Sequence, residues 1–202
     1  MPLIVFEGLD RSGKTTQATK LASLLRGELK FNVQEFKFPM RDNTEVGRKI
    51  KQYLAGELEM SRYEAHLLFY QQRRETKEEI EHLLRIGGVV ILDRYSASAI
   101  AYGVAGNLSM SYCKALEDIF PKPDITLYLD VTINDVFHRG GFGSDRFETI
   151  FYQEKVLDVY LHLVDSSWVI VDGTKETDDV LADCFDAIAD MLGKPSVVPV
   201  FV

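Results

Sequence analysis

The chain has 202 residues, 46% of them hydrophobic and 27% charged, and a formal net charge of −8. Such a composition suits one globular domain over 1–202, and no apolar run is long enough to cross a bilayer or to serve as a secretory leader. The acidic balance argues against a protein that grips a nucleic-acid backbone, yet it allows a small anionic ligand held by a local cluster of cations. Cys113 and Cys184 lie far apart without metal-ligand spacing and read as buried small hydrophobes in a reducing, cytosolic setting.

In chain order, the first apolar run, Leu3 to Phe6, predicts a strand. Gly8-Leu9-Asp10-Arg11-Ser12-Gly13-Lys14-Thr15 follows it, and a helix-forming run from Thr16 to Leu25 comes next. Strand, glycine-rich loop and helix in that order match the P-loop pattern at every fixed position. Gly8 and Gly13 let backbone N–H groups turn towards phosphate oxygens, with Asp10, Ser12 and Thr16 in the same ATP-phosphate site. Lys14 is expected on the β- and γ-phosphates, Thr15 on Mg²⁺, and the helix N-terminus adds positive potential. Arg11 is an added cation inside the loop, placed to touch the transferring phosphoryl group as an arginine finger in cis; a solvent-facing arginine is the alternative.

The second strand, Val33 to Phe38, runs into Pro39-Met40-Arg41, and Arg41 is a candidate fork for a phosphate. A long helix from Ser61 to Ile86 carries Phe69 and Arg73, four residues apart on one face. A ring beside a planar cation could read a base, but Phe69 also extends the apolar stretch Leu67-Leu68-Phe69-Tyr70, and core packing is the simpler reading. The third strand, Val89 to Leu92, ends in Asp93-Arg94-Tyr95. A carboxylate there suits a Mg²⁺-associated Asp93, with Arg94 beside it for an acceptor phosphate; a helix cap and a surface arginine are the alternatives.

The fourth and fifth strands are Ile125 to Asp130 and Trp168 to Val171. Between them lies a glycine-rich loop, about 138–148, with Arg139 and Arg146; it is expected to be a mobile lid that closes over ATP and excludes water. The tail from Gly193 to Val202 reads as extended. Five strands alternating with helices predict an α/β fold, a five-stranded parallel sheet flanked by helices, with ligands beyond the carboxyl ends of the strands. A GTP-binding switch would need a guanine-reading Asn-Lys-x-Asp; Gly173-Thr174-Lys175-Glu176-Thr177 lacks the final Asp.

These segments together resemble the thymidylate kinases. The match runs from Leu3 to about Asp172 and is carried by Phe6 to Gln17, Phe38-Pro39-Met40-Arg41, Leu67-Leu68-Phe69 with Arg73, Asp93-Arg94-Tyr95, Pro121-Lys122-Pro123-Asp124, and Arg146-Phe147-Glu148 with Gln153. Arg11 in the P-loop is similar to the eukaryotic and some viral members. The resemblance implies a P-loop nucleoside monophosphate kinase fold and Mg²⁺-dependent transfer from ATP to dTMP, giving ADP and dTDP. It implies that Phe69 stacks on thymine, that Arg73 donates to a thymine carbonyl, and that Arg41 and Arg94 hold the dTMP phosphate. Asp10 would lie near the deoxyribose, Tyr102 would crowd a 2′-hydroxyl, and Ser98 would meet the base edge. Phe38, Phe147 and Gln153 would complete the dTMP site, Phe147 standing where some members carry Tyr. A homodimer and a cytoplasmic setting, with the nucleus as the alternative, are also implied. Other nucleotide kinases, for uridylate and cytidylate or for deoxynucleosides, are the nearest competing reading; a nucleoside acceptor would leave Arg41 without a phosphate.

Overall fold

The structure is a computed structural model that describes residues 1–42, 44–140, 143 and 145–193. Five parallel strands form one sheet: β1 (Leu3–Glu7), β2 (Val33–Lys37), β3 (Val89–Asp93), β4 (Ile125–Asp130) and β5 (Trp168–Asp172), in the order β2-β3-β1-β4-β5. Every residue of β1 and β3 is buried, as expected for central strands covered on both faces. The helices are α1 (Lys14–Gly27), α2 (Glu45–Leu54), α3 (Arg62–Arg85), α4 (Ser96–Ala105), α5 (Met110–Glu117), α6 (Ile133–His138), α7 (Ile150–Leu161) and α8 (Thr177–Ala189).

Alternate residues of the central strands feed opposite cores. Ile4 and Phe6 of β1 pack with Leu21, Leu25, Phe185 and Ile188 of α1 and α8. Leu3 and Val5 pack on the other face with Ile80 of α3 and with Phe120. A third cluster joins α4 and α7 through Ala101, Val156 and Tyr160. The sheet, its parallel sense and the flanking helices agree with the sequence reading. The long helix starts one residue later than expected because Ser61 caps it: the Ser61 hydroxyl accepts from Glu64 N, and the Glu64 carboxylate accepts from Ser61 N.

The strand ends differ slightly from expectation. β1, β3 and β5 each extend by one residue, so Glu7, Asp93 and Asp172 are the last residues of strands rather than parts of loops. The first two carboxylates are thus held rigidly at the top of the sheet. α2 was not anticipated; Thr44 caps it, and its Val46, Ile50 and Leu54 pack on Ala65 and Leu68 of α3. The tail beyond Gly193 lies outside the described residues, as do Gly141, Phe142 and Ser144 of the expected lid.

Candidate active site

The loop after β1 is shaped by backbone constraints. Gly8 adopts φ +142°, and a Cβ there would meet Leu129 O at 2.8 Å and Ser12 Oγ at 2.9 Å. Gly13 adopts φ +102° and begins α1 without any side-chain cap. The first-turn N–H groups of α1 are therefore available to an anion, with Thr15 and Thr16 exposed beside them. Lys14 is buried, donating to Leu9 O and, at 3.1 Å, to Ser12 Oγ. Burial and the neighbouring Arg94 charge push its pKa down to about 7, against the pull of Asp93, Asp10 and Glu7. A bound phosphate would supply the counter-charge that this ammonium lacks.

Thr15 and Asp93 meet at the top of β3: Thr15 Oγ1 donates to Asp93 Oδ2 at 2.5 Å, and Lys37 Nζ donates to Thr15 Oγ1 at 2.9 Å. Among the described residues no group of three or more His, Cys, Asp or Glu side chains gathers as a metal cage. Mg²⁺ does not need one. It is usually held by one or two protein oxygens, with phosphates and water completing the octahedron, and this hydroxyl–carboxylate pair fits that demand.

Across the loop, Arg94 is fixed from several sides. Its backbone is left-handed, φ +68°, an unusual state for a side chain with a Cβ. Its guanidinium donates to Gly8 O at 3.0 Å, Ser98 Oγ at 3.1 Å and Asp10 Oδ1 at 2.5 Å. Burial opposes its charge, but Tyr102, Asp10, Tyr160 and Asp93 outweigh that and hold it firmly protonated. The other Asp10 oxygen accepts from Tyr102 Oη at 2.8 Å and Gln153 Nε2 at 2.9 Å. Burial would raise the Asp10 pKa; Arg94, Lys14 and these hydrogen bonds overcome it and keep the carboxylate ionised.

One cavity of about 1290 Å³ faces both groups. Lys14, Thr15, Arg41, Phe69, Arg73 and Arg94 all line it. Phe38, Ser98, Tyr102 and Phe147 also line it. Phe69 satisfies both readings of its sequence context: it packs partly on the α2–α3 core, edge-on to Tyr53 at 6.2 Å, and presents its remaining surface to the cavity. Phe147 stacks on Tyr152 at 4.9 Å and lies edge-on to Tyr102 at 5.6 Å.

Two expected contact residues stand elsewhere. Gln153 is fully buried and does not line the cavity. Its amide is engaged by Asp10 N at 3.1 Å, Asp10 Oδ2 and Phe147 O, so it holds Asp10 in place instead of facing a ligand. Arg139 likewise does not line the cavity; it donates to Arg11 O at 2.7 Å and Gly173 O at 3.0 Å. Arg146 does line it, but its guanidinium donates to Tyr53 O at 2.9 Å and Glu59 Oε1 at 2.6 Å and lies 4.3 Å from the centre of the Tyr53 ring. Arg11, also left-handed at φ +62°, pairs with Glu148 at 3.1 Å; Arg41 pairs with Asp145 at 2.5 Å.

Several site residues escaped the sequence reading. Glu7 is fully buried, and its carboxylate accepts from Tyr95 N at 3.0 Å, Ser98 N at 2.9 Å, Ser98 Oγ and Tyr160 Oη. It thereby caps α4 from another element and orients the Ser98 hydroxyl under Arg94. Gln72 clamps the turn before Arg41 by bonding both Met40 N and Met40 O at 2.7 Å. Glu117 pairs with Arg73 at 2.6 Å. The available signal was weak: a glutamate ending an otherwise apolar strand for Glu7, and no local signal for the other two.

The sheet order, the loop around Lys14 and the arginines across a shared cavity define a P-loop nucleoside monophosphate kinase. A family model described as thymidylate kinase matches residues 6–184. The thymidylate kinase of Arabidopsis thaliana is 39% identical over 96% of this chain and 74% of its own length. The human thymidylate kinase is 35% identical over 96% and 94%. The solved thymidylate kinase of Candida albicans superposes with a TM-score of 0.81 at 33% identity, covering 95% of this chain and 92% of its own. The chain belongs to the thymidylate kinase family. Among the described residues no helix is long and apolar enough to cross a membrane.

Proposed function

We propose that this enzyme transfers the γ-phosphoryl group of ATP to dTMP, forming dTDP and ADP, with Mg²⁺ on the donor phosphates. The observation that carries this is that one cavity is lined both by the P-loop residues Lys14 and Thr15 and by Phe69, Arg73, Tyr102, Arg41 and Arg94.

The acceptor is already an anionic phosphate, so no strong base is required. The barrier is the approach of two polyanions, met by positioning and positive charge. Lys14 and the first turn of α1 hold the donor phosphates. Thr15 and Asp93 would hold Mg²⁺, which supplies charge neutralisation on those phosphates when bound. Arg94 and Arg41 receive the acceptor phosphate. Arg11 leaves Glu148 to meet the transferring group; Arg139 and Arg146 support it by tying the lid to the P-loop and to α2. Asp10, held by Gln153, lies where the sugar hydroxyl would enter. Tyr102 packs over the face that a ribose 2′-hydroxyl would occupy, and Ser98 and Phe38 complete the wall. Phe69 stacks the base and Arg73 donates to its carbonyl. The family resemblance adds a homodimer, which sedimentation would test.

The test is ADP release with ATP and Mg²⁺ against dTMP, dUMP, dGMP, UMP, CMP and thymidine in parallel. The expected result is strong turnover with dTMP and little with UMP or thymidine. Preference for UMP, CMP or a nucleoside would keep the P-loop chemistry and overturn the acceptor assignments.

A further inference from the structure

The most deeply buried ion pair among those found between described residues joins Arg73 of α3 to Glu117, the last residue of α5, with side chains 5% and 3% exposed. Arg73 Nε donates to Glu117 Oε2 at 3.2 Å and Arg73 Nη2 to Oε1 at 2.6 Å. The carboxylate thus takes one whole edge of the guanidinium. Arg73 lines the cavity and Glu117 does not. Nη1 has no hydrogen bond to a described residue, and the guanidinium carbon lies 5.8 Å from the centre of the Phe120 ring.

Fold stability alone is a weak account of this pair. Buried ion pairs hardly outperform well-packed apolar side chains of the same volume, because dehydration of both charges consumes the attraction. Glu117 is also the one carboxylate found in ion-pair contact with Arg73 among the described residues.

We propose that Glu117 is a positioning residue that clamps the Nε–Nη2 edge of Arg73, so that only the Nη1 end donates into the acceptor cavity and selects a base with a carbonyl, not an amino group, at the edge it meets. A guanidinium is donor-only. Held rigidly, it satisfies a carbonyl and leaves an amino group, also a donor, unpaired in a buried site. Such a mismatch discriminates far better than shape alone. An unclamped Arg73 could swing aside and tolerate either base. The inference rests on the reading of Arg73 as the residue that faces the base.

The experiment compares kcat and KM for dTMP and dCMP in wild type, Glu117→Gln, Glu117→Asp and Arg73→Met, with thermal melts to confirm folding. Glu117→Gln is expected to raise the dTMP KM about tenfold, leave kcat within about threefold, and cut the dTMP-over-dCMP ratio of kcat/KM about tenfold. Glu117→Asp keeps the counter-charge but draws the guanidinium back by a methylene, so its ratio falls between wild type and Gln by about threefold. A merely structural role would lower melting temperature and kcat without this graded loss of selectivity. Wild-type selectivity in a folded Gln variant overturns the clamp, and so does wild-type selectivity in the Asp variant should the Gln protein not fold. The Arg73→Met arm separates the two readings. Unchanged selectivity there removes Arg73 from the base site altogether, whereas a collapse in Arg73→Met without one in the Glu117 variants removes only the clamp.

Discussion

The residues proposed for the donor and those proposed for the acceptor are built into the cavity differently. The donor end is a short contiguous loop whose backbone conformation, set by Gly8 and Gly13, presents N–H groups and one buried lysine. The acceptor end is assembled from side chains on the segment after β2, on α3, α4, α5 and α7 and from Asp10 of the loop itself, far apart in sequence and held by one another: Gln72 on Met40, Glu117 on Arg73, Gln153 on Asp10, Glu7 on Ser98. Damage at the first end should therefore act on rate. Damage at the second should act on affinity and selectivity, and it should spread to residues that never meet a ligand.

The largest effect should come from the donor end. Lys14→Ala is expected to lower kcat about 10²–10³-fold, read from steady-state turnover at saturating dTMP. Arg11→Ala follows, with a loss in kcat of about 10²-fold and little change in the dTMP KM. Equal turnover in that variant would leave Arg11 as a lid anchor only, paired with Glu148 as it stands here.

Glu7 is the residue through which the comparison can be broken, since it lies on the strand leading to the P-loop but serves α4. Glu7→Gln turns one acceptor oxygen into a donor facing other donors and should lower stability by about 1–3 kcal/mol, seen as a fall in melting temperature. It should also raise the dTMP KM through Arg94 and Ser98. A raised ATP KM with unchanged dTMP KM would show that Glu7 belongs to the donor end after all.

Phe69→Ala should raise the dTMP dissociation constant about tenfold by removing a stacking face, measured by titration calorimetry; an unchanged constant would return Phe69 to the core. The smallest effect concerns pH. His66 has its pKa lowered from 6.5 to about 4 by burial and by Arg73, so between those values the unfolded chain binds more protons than the folded one. Its neutral state therefore stabilises the fold fully above pH 6.5, and that contribution is lost as pH falls towards 4. Melting curves of His66→Gln should show a shallower acid decline than wild type; identical slopes would assign the decline to other groups.

How much of this could be read in advance follows the same division. The sheet, the P-loop and Asp93 with Arg94 are contiguous motifs, and local spacing points to their chemistry. Phe69 was legible only as an ambiguity, since one apolar run serves core and cavity at once. Gln153 and Arg139 do not line the cavity but bond to Asp10 and to the backbone of Arg11 and Gly173, since spacing says which residues converge and not which of them face the cavity. Glu117 lies 44 residues from Arg73 and Glu7 lies 153 residues from Tyr160, and no periodicity connects such partners. Packing alone brings them together.

Two of the three arginines proposed for the phosphates already carry carboxylates from the lid segment, Arg11 with Glu148 and Arg41 with Asp145. On that proposal nucleotide binding would be an ion exchange: a phosphate would displace a carboxylate, and the net change in ion pairing at each arginine would be small. Added salt weakens the outgoing and incoming pairs together. Affinity for both nucleotides should consequently depend on ionic strength less steeply than the number of arginines around the cavity would suggest, while the released acidic residues become the charges that push spent product outward.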